Sequence, residues 1–267
     1  MGPAAPRVAH LLTEGRTLLS ESSAIDHWRA AIAREDAEDL LALALGMAPG
    51  GLDPEASVPA GVEVRYREYL ARRAAGEPVA LIRGVVDFAG LTLAVRHGVF
   101  VPRGSSELLA QVAVAALPSA EVWGLDIDPA AVALSRANAR RNRLGNVHFR
   151  VSDLVAALPR RLQGEVGALT MHPPYVARQE VRTLPREIRR FEPRHTLTDG
   201  SSDGLGLVRD LVEEAPRWLR RGGVLLFEVA PYLSRSVQSL MRRAGLEVTV
   251  QADPGGITRV IAGRGHG

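Results

Sequence analysis

The chain has 267 residues, enough to bury a full core in one or two domains. Its hydrophobic content of 46% is ordinary for a soluble globular protein, and no apolar run approaches the roughly 20 residues that span a bilayer. The net charge is only +3 and cysteine is absent, which excludes disulfides and thiolate metal sites and gives no ground for nucleic-acid binding. The start, Met1-Gly2-Pro3-Ala4-Ala5-Pro6-Arg7, lacks a charged-then-apolar leader, so a cytoplasmic life is the expectation. All 33 basic positions are arginine, whose planar fork of donors suits carboxylate, phosphate or sulfate.

Residues 1–78 read as a helical domain. Apolar positions recur at helical spacing in Val8, Leu11, Leu12, Leu18 and Leu19, and again in Leu40, Leu41, Leu43 and Leu45 before Gly46 and Pro49-Gly50-Gly51. A third helix is expected from about Val62 to Ala75, stopped by Gly76. Residues 79–101 carry short β-rich stretches around Gly84, Gly90 and Gly98 and read as a β-hairpin linker. From 102 to 267, strand-like and helix-like segments alternate, the pattern of an α/β parallel sheet. The strands are expected at Val122–Ile127, Val147–Val151, Ala168–Met171, Gly223–Val229, Glu247–Ala252 and Thr258–Ala262.

Several motifs occur in fixed order: Asp36-Ala37-Glu38-Asp39-Leu40-Leu41, Arg72-Arg73-Ala74-Ala75-Gly76-Glu77-Pro78, Gly98-Val99-Phe100-Val101-Pro102-Arg103, Asp126-Ile127-Asp128-Pro129, Met171-His172-Pro173-Pro174-Tyr175, Glu192-Pro193-Arg194, Asp203-Gly204-Leu205, Gly222-Gly223 and Glu228. Together they resemble the HemK/PrmC family of release-factor glutamine N5-methyltransferases over nearly the whole chain. The resemblance implies a Rossmann-like class I methyltransferase sheet, preceded by a small helical domain and a β-hairpin.

The departures from the family are as informative. The family signature Asn-Pro-Pro-Tyr has His172 in place of asparagine. Its Pro-Glu-Thr-Glu has become Gly104-Ser105-Ser106-Glu107. Between Glu107 and Asp126 there is no Gly-x-Gly-x-Gly, and the stretch is shorter than the roughly 30 residues of a strand–helix–strand unit. Only one helix, Leu108–Leu117, and one strand fit there. The resemblance therefore implies loss of the first central strand and of the glycine turn that approaches S-adenosylmethionine. A sequence error is the competing explanation. If the loss is real, the neighbouring strands must pair with each other or be covered by a partner, because buried backbone groups need partners.

The replaced positions define a candidate site. Arg103, Ser105 and Ser106 at a helix start form an expected anion cradle, with plain capping by a serine as the compatible alternative. His172 can take a proton from a substrate nitrogen, which makes it a candidate general base; a drifted residue in a dead site is the other reading. Tyr175, Glu107 and Pro173 complete the candidate set. By resemblance Asp126 stands at the ribose acid, here with no ribose to hold. Glu228 closes an apolar strand and reads equally as structure or site. No histidine spacing suggests a metal.

A degenerate scaffold of this kind also resembles the methyltransferase-like subunit of the aziridine synthases in azinomycin and vazabitide biosynthesis. What that implies is an enzyme independent of S-adenosylmethionine and of any other cofactor, a lyase or cyclase. It would close an aziridine ring by amine attack with sulfate elimination, on a substrate carried by an acidic amino-group carrier protein. A small second subunit would fill the gap in the sheet. The alternatives are a protein-glutamine N5-methyltransferase, and a non-catalytic binding or scaffold protein that uses the inherited cleft. No nucleic acid and no membrane are expected as partners.

Overall fold

A computed structural model of the chain describes residues 5–25, 29–48, 50–117 and 119–265. It comprises two units. The first spans residues 1–85, 95–97 and 183–192; the second spans 86–94, 98–182 and 193–267.

The first unit is built on α1 (Val8–Glu21), α2 (Arg29–Leu45), α3 (Ala60–Ala74) and the short α4 (Val79–Arg83). On α1, the buried residues Val8, Leu11, Leu12, Gly15 and Leu19 fall on one stripe, as a 3.6-residue period requires. On α3, Tyr66 and Leu70 face them, and the Tyr66 hydroxyl donates to the Leu11 carbonyl at 3.3 Å. Gly15 is needed there, because a Cβ would stand 2.1 Å from that hydroxyl. Arg73 is buried on the same helix; it donates from Nε to Asp36 at 2.6 Å and from Nη1 to Glu187 at 3.0 Å. Arg72 grips Glu77 with two bonds of 2.6 and 2.8 Å, and His97 lies 2.8 Å from the same carboxylate. The Arg72–Pro78 motif thus ties α3 to Asp36 of α2 and to Glu77 in the segment that leads into α4. Residues 79–83, expected in the hairpin, form α4 instead. Pro78 precedes its first turn, and Gly84 at φ +73° ends it.

In the second unit, β1 (Val85–Phe88) and β2 (Leu91–Ala94) form the hairpin. Its two-residue turn, Ala89-Gly90, has positive φ at both positions, the geometry that matches strand twist. The helices are α5 (Glu107–Ala116), α6 (Pro129–Arg141), α7 (Arg186–Phe191, which belongs to the first unit), α8 (Gly206–Trp218) and α9 (Ser234–Arg243). The strands are β3 (Val122–Asp126), β4 (Val147–Val151), β5 (Val166–Met171), β6 (Leu219–Glu228), β7 (Leu246–Ala252) and β8 (Thr258–Gly265). They form two sheets: a parallel pair β3-β4, and a four-stranded sheet in the order β5-β6-β8-β7.

The apolar run of β6 is explained by burial on both faces. Val224 and Leu226 pack with Leu109 of α5, while Leu225 and Phe227 join Val208, Leu211 and Val212 of α8 and Val237 and Met241 of α9. α6 backs β3 and β4. Asp128 caps α6 by accepting from Ala130 N at 2.8 Å, with Pro129 as its first residue. Asn138 of α6 holds the hairpin by exchanging two bonds with the Ala94 backbone, 2.8 and 3.0 Å. Among the described residues no ladder joins β3 to β5, although Trp123 and Leu125 of β3 pack against the core below β5. The fold is thus a class I methyltransferase-like α/β fold with a helical N-terminal region.

Candidate active site

The parallel register of β5 and β6 creates the site. Met171 pairs with Phe227, so the next residue of each strand, His172 and Glu228, emerges side by side at the carboxyl edge. In open α/β sheets this edge is where ligands bind. The loop that follows β5 is held from below. Asp199 N donates to the Pro174 carbonyl at 3.1 Å, and Val176 N to the Leu197 carbonyl at 2.9 Å. Gly204, at φ +69°, lies so close to this loop that a Cβ would stand 1.9 Å from the Tyr175 carbonyl oxygen. The Asp203-Gly204-Leu205 motif is therefore a packing requirement of the Pro173–Tyr175 loop. Among the described residues the Pro173 carbonyl takes no backbone hydrogen bond.

Around His172 the walls are mixed. Ser106 Oγ lies 3.4 Å from Nδ1, at the long end of a hydrogen bond. Glu228 Oε2 lies 3.9 Å from the same nitrogen. Phe100 meets the imidazole edge-on at 6.0 Å between centroids, and Tyr175 lies tilted to it by 35° at 5.6 Å. The Arg103 guanidinium covers the Phe100 ring at 5.2 Å. Burial holds the His172 imidazole below its ordinary pKa; the Glu228 carboxylate opposes this and Arg103 adds to it. Burial likewise raises the Tyr175 phenol, with Glu228 adding to the rise. The arrangement can seat a small nitrogen-bearing group against a neutral imidazole and accept its proton.

The structure brings together Arg103, Ser106, Pro173, His172 and Tyr175. Ser106 stands at the N-cap of α5 yet makes no side-chain cap bond, and its hydroxyl turns to His172. Ser105 is exposed in the turn before α5. Glu107 points elsewhere: its Oε1 accepts from Ala89 N in the hairpin turn at 3.0 Å. Phe100 was not among the residues picked from sequence. Glu228, which the sequence left open between structure and site, stands beside His172; an acid that ends an otherwise apolar buried parallel strand is costly unless used. Among the described residues no group of three potential ligands could hold a metal ion, and no helix is long and apolar enough to cross a membrane.

Comparison with known proteins places this geometry. Residues 10–84 match the PrmC N-terminal domain, and residues 104–166 match a methyltransferase domain. The release factor glutamine methyltransferase of Burkholderia pseudomallei is 34% identical over 86% of this chain and 91% of its own length. The one from Pseudomonas aeruginosa is 34% identical over 93% of this chain and 97% of its own length. A solved structure, the release factor-specific protein-(glutamine-N5) methyltransferase of Alicyclobacillus acidocaldarius, is similar at 22% identity over 62% of this chain and 95% of that one, with a TM-score of 0.38. The Burkholderia and Pseudomonas relatives overturn the expectation of a sulfate-eliminating aziridine synthase: relatives matched along the chain are methyltransferases, not lyases or cyclases.

The fold implies S-adenosylmethionine as methyl donor, and the residues of this chain alone do not fit it. Asp126 spends one carboxylate oxygen on the backbone N–H of Asp128 at 2.8 Å. The only glycine between Glu107 and Asp126 is Gly124, inside β3, where a Cβ would stand 2.5 Å from the Phe149 ring, so it is a packing glycine rather than a phosphate-type turn.

Proposed function

The chain belongs to the release factor glutamine methyltransferase family, and from that premise we propose that it serves methylation of a glutamine side-chain amide in a protein substrate, a release factor being the first candidate. Its own contribution is the acceptor half. The observation that carries this reading is the loop His172–Tyr175 at the carboxyl edge of β5, braced by Gly204 and flanked by Glu228 and Ser106. The Pro173 carbonyl and the His172 imidazole offer two acceptors to an amide NH₂, and Tyr175 and Phe100 give it apolar walls. Arg103 and Ser106 suit the amide oxygen or a neighbouring carboxylate.

The donor half, in this reading, comes from a small second polypeptide whose strand and glycine turn enter between β3 and β5. Two facts support it. The strands that flank this place end in separate sheets. The alignment with the Burkholderia relative runs over 263 positions although only 86% of this chain enters it, so about 30 positions of the relative lack a counterpart, the size of one strand–helix–strand unit.

The test is isotopic methyl transfer. The full chain is incubated with a release factor and methyl-labelled S-adenosylmethionine, with and without a synthetic peptide carrying the glycine turn and its preceding strand from a release factor glutamine methyltransferase. Label on a glutamine in the presence of the peptide is the expected result. Label without the peptide would remove the second polypeptide from the proposal, and no label in either mixture would defeat the methylation reading.

A further inference from the structure

Glu228 is the one group at this site whose position is expensive. It is 4% exposed, and its Oε2 is buried without a hydrogen-bond partner. A buried carboxylate oxygen left unpaired costs more than a neutral one, so its retention calls for a use. That oxygen stands 3.9 Å from His172 Nδ1. We infer that Glu228 is a positioning residue for His172: it places the ring proton on Nδ1 and leaves Nε2 as the lone pair that takes the proton of the substrate nitrogen. This rests on the acceptor reading above and names the base that serves it.

Matching donors to acceptors fixes which ring nitrogen carries the proton. A carboxylate only accepts, whereas the Ser106 hydroxyl can give or take. With the proton on Nε2, the Nδ1 lone pair would face the Glu228 oxygen at 3.9 Å, two like poles with no hydrogen between them. With the proton on Nδ1, the ring donates toward Glu228 and Ser106 Oγ, and both can receive it. Nε2 bonds no described residue. The substrate N–H bond breaks as its proton passes to the Nε2 lone pair, and the imidazolium so formed lies beside the Glu228 carboxylate. The groups that face the ring are Ser106, Phe100, Tyr175 and Glu228, with the positive charge of Arg103 acting from beyond Phe100. Burial and Arg103 keep His172 neutral until it is used, and Glu228 is the counterweight that makes protonation attainable.

The experiment is ¹⁵N nuclear magnetic resonance of the imidazole nitrogens in the full chain, with His172 assigned from His172→Asn. It needs neither substrate nor donor, so it fails or succeeds independently of the methylation test. The wild-type ring is expected as the Nδ1–H tautomer. Glu228→Gln keeps an acceptor but loses the charge, so the tautomer should persist while the His172 titration moves to lower pH by about one unit, a tenfold change in proton affinity. Glu228→Asp should restore most of the wild-type titration, and Ser106→Ala should leave the tautomer unchanged. An Nε2–H tautomer in the wild-type protein would overturn the inference by itself, even if the variants failed to fold. So would a His172 titration that Glu228→Gln does not move.

Discussion

At the scale of single residues, His172 does what an asparagine in its place could not: it couples the site to pH. Burial lowers its affinity for a proton below the ordinary value of 6.5. Above that pH folded and unfolded chains are alike at this position. As pH falls below it, the unfolded chain takes up a proton that the folded chain resists, so stability is lost with falling pH until the folded value is reached. The loss is about 1 kcal/mol per pH unit through that window. Replacing the residue, His172→Asn, removes this slope. Urea unfolding of both proteins at about pH 7.5 and about pH 5.5 should show the variant gaining on the wild type as the solution is acidified. Equal slopes would mean that the ring is solvated like a free histidine. The residue scale also shows where motif reading stops. The motif around Tyr175 marked the loop after β5, but only the close packing of Gly204, where an added Cβ would stand 1.9 Å from the Tyr175 carbonyl oxygen, explains why a separate motif 28 positions later belongs with it. Glu107, equally prominent in sequence, is taken up by the hairpin turn.

At the scale of elements, strand order decides more than strand content. The six strands expected from residue 122 onward occur where alternating and apolar runs place them, with ends moved by a few residues: β6 begins at Leu219 rather than Gly223, and β8 runs on to Gly265 rather than stopping at Ala262. Residues 79–83 were misread because five apolar and basic residues between Pro78 and Gly84 fit a single helical turn as well as a strand. The division into β3-β4 and β5-β6-β8-β7 has a measurable consequence. β6 and β8 lie between hydrogen-bonded neighbours and under helices on both faces, whereas β3 is bonded along one side only. Hydrogen exchange followed by mass spectrometry should therefore find β6 and β8 the slowest segments and β3 substantially faster. Addition of the donor-segment peptide should slow β3 and β5 together, and leave β7 as it was. Uniform protection of all strands in the chain alone would contradict an open place in the sheet.

At the scale of the whole molecule, part of the exposed apolar surface belongs to the β3-β4 pair. Val122 is 47%, Ile127 61% and Val151 48% exposed, on or next to β3 and β4. A net charge of +3 gives little repulsion between copies. An unpaired strand edge with such neighbours is a site for association. The chain alone should accordingly show a mass that rises with concentration in sedimentation velocity, and the peptide should reverse the rise; a concentration-independent monomer would argue that the edge is covered from within.

The sequence by itself determined the class of fold, the helical first region, the positions of the strands and the family, because burial periodicity and turn chemistry are local and the motifs keep their order. It also exposed the short span between Glu107 and Asp126, since a strand–helix–strand unit has a minimum length. Tertiary structure alone decided which of the marked residues meet. His172 and Glu228 are 56 positions apart in the chain, and they become neighbours only because β5 and β6 run parallel with Met171 beside Phe227. Ser106 joins them by the placement of α5 against the same sheet, and Arg73 is buried where two carboxylates from distant segments, Asp36 and Glu187, enclose it. Contacts of this kind depend on strand register and helix docking, which no local spacing encodes.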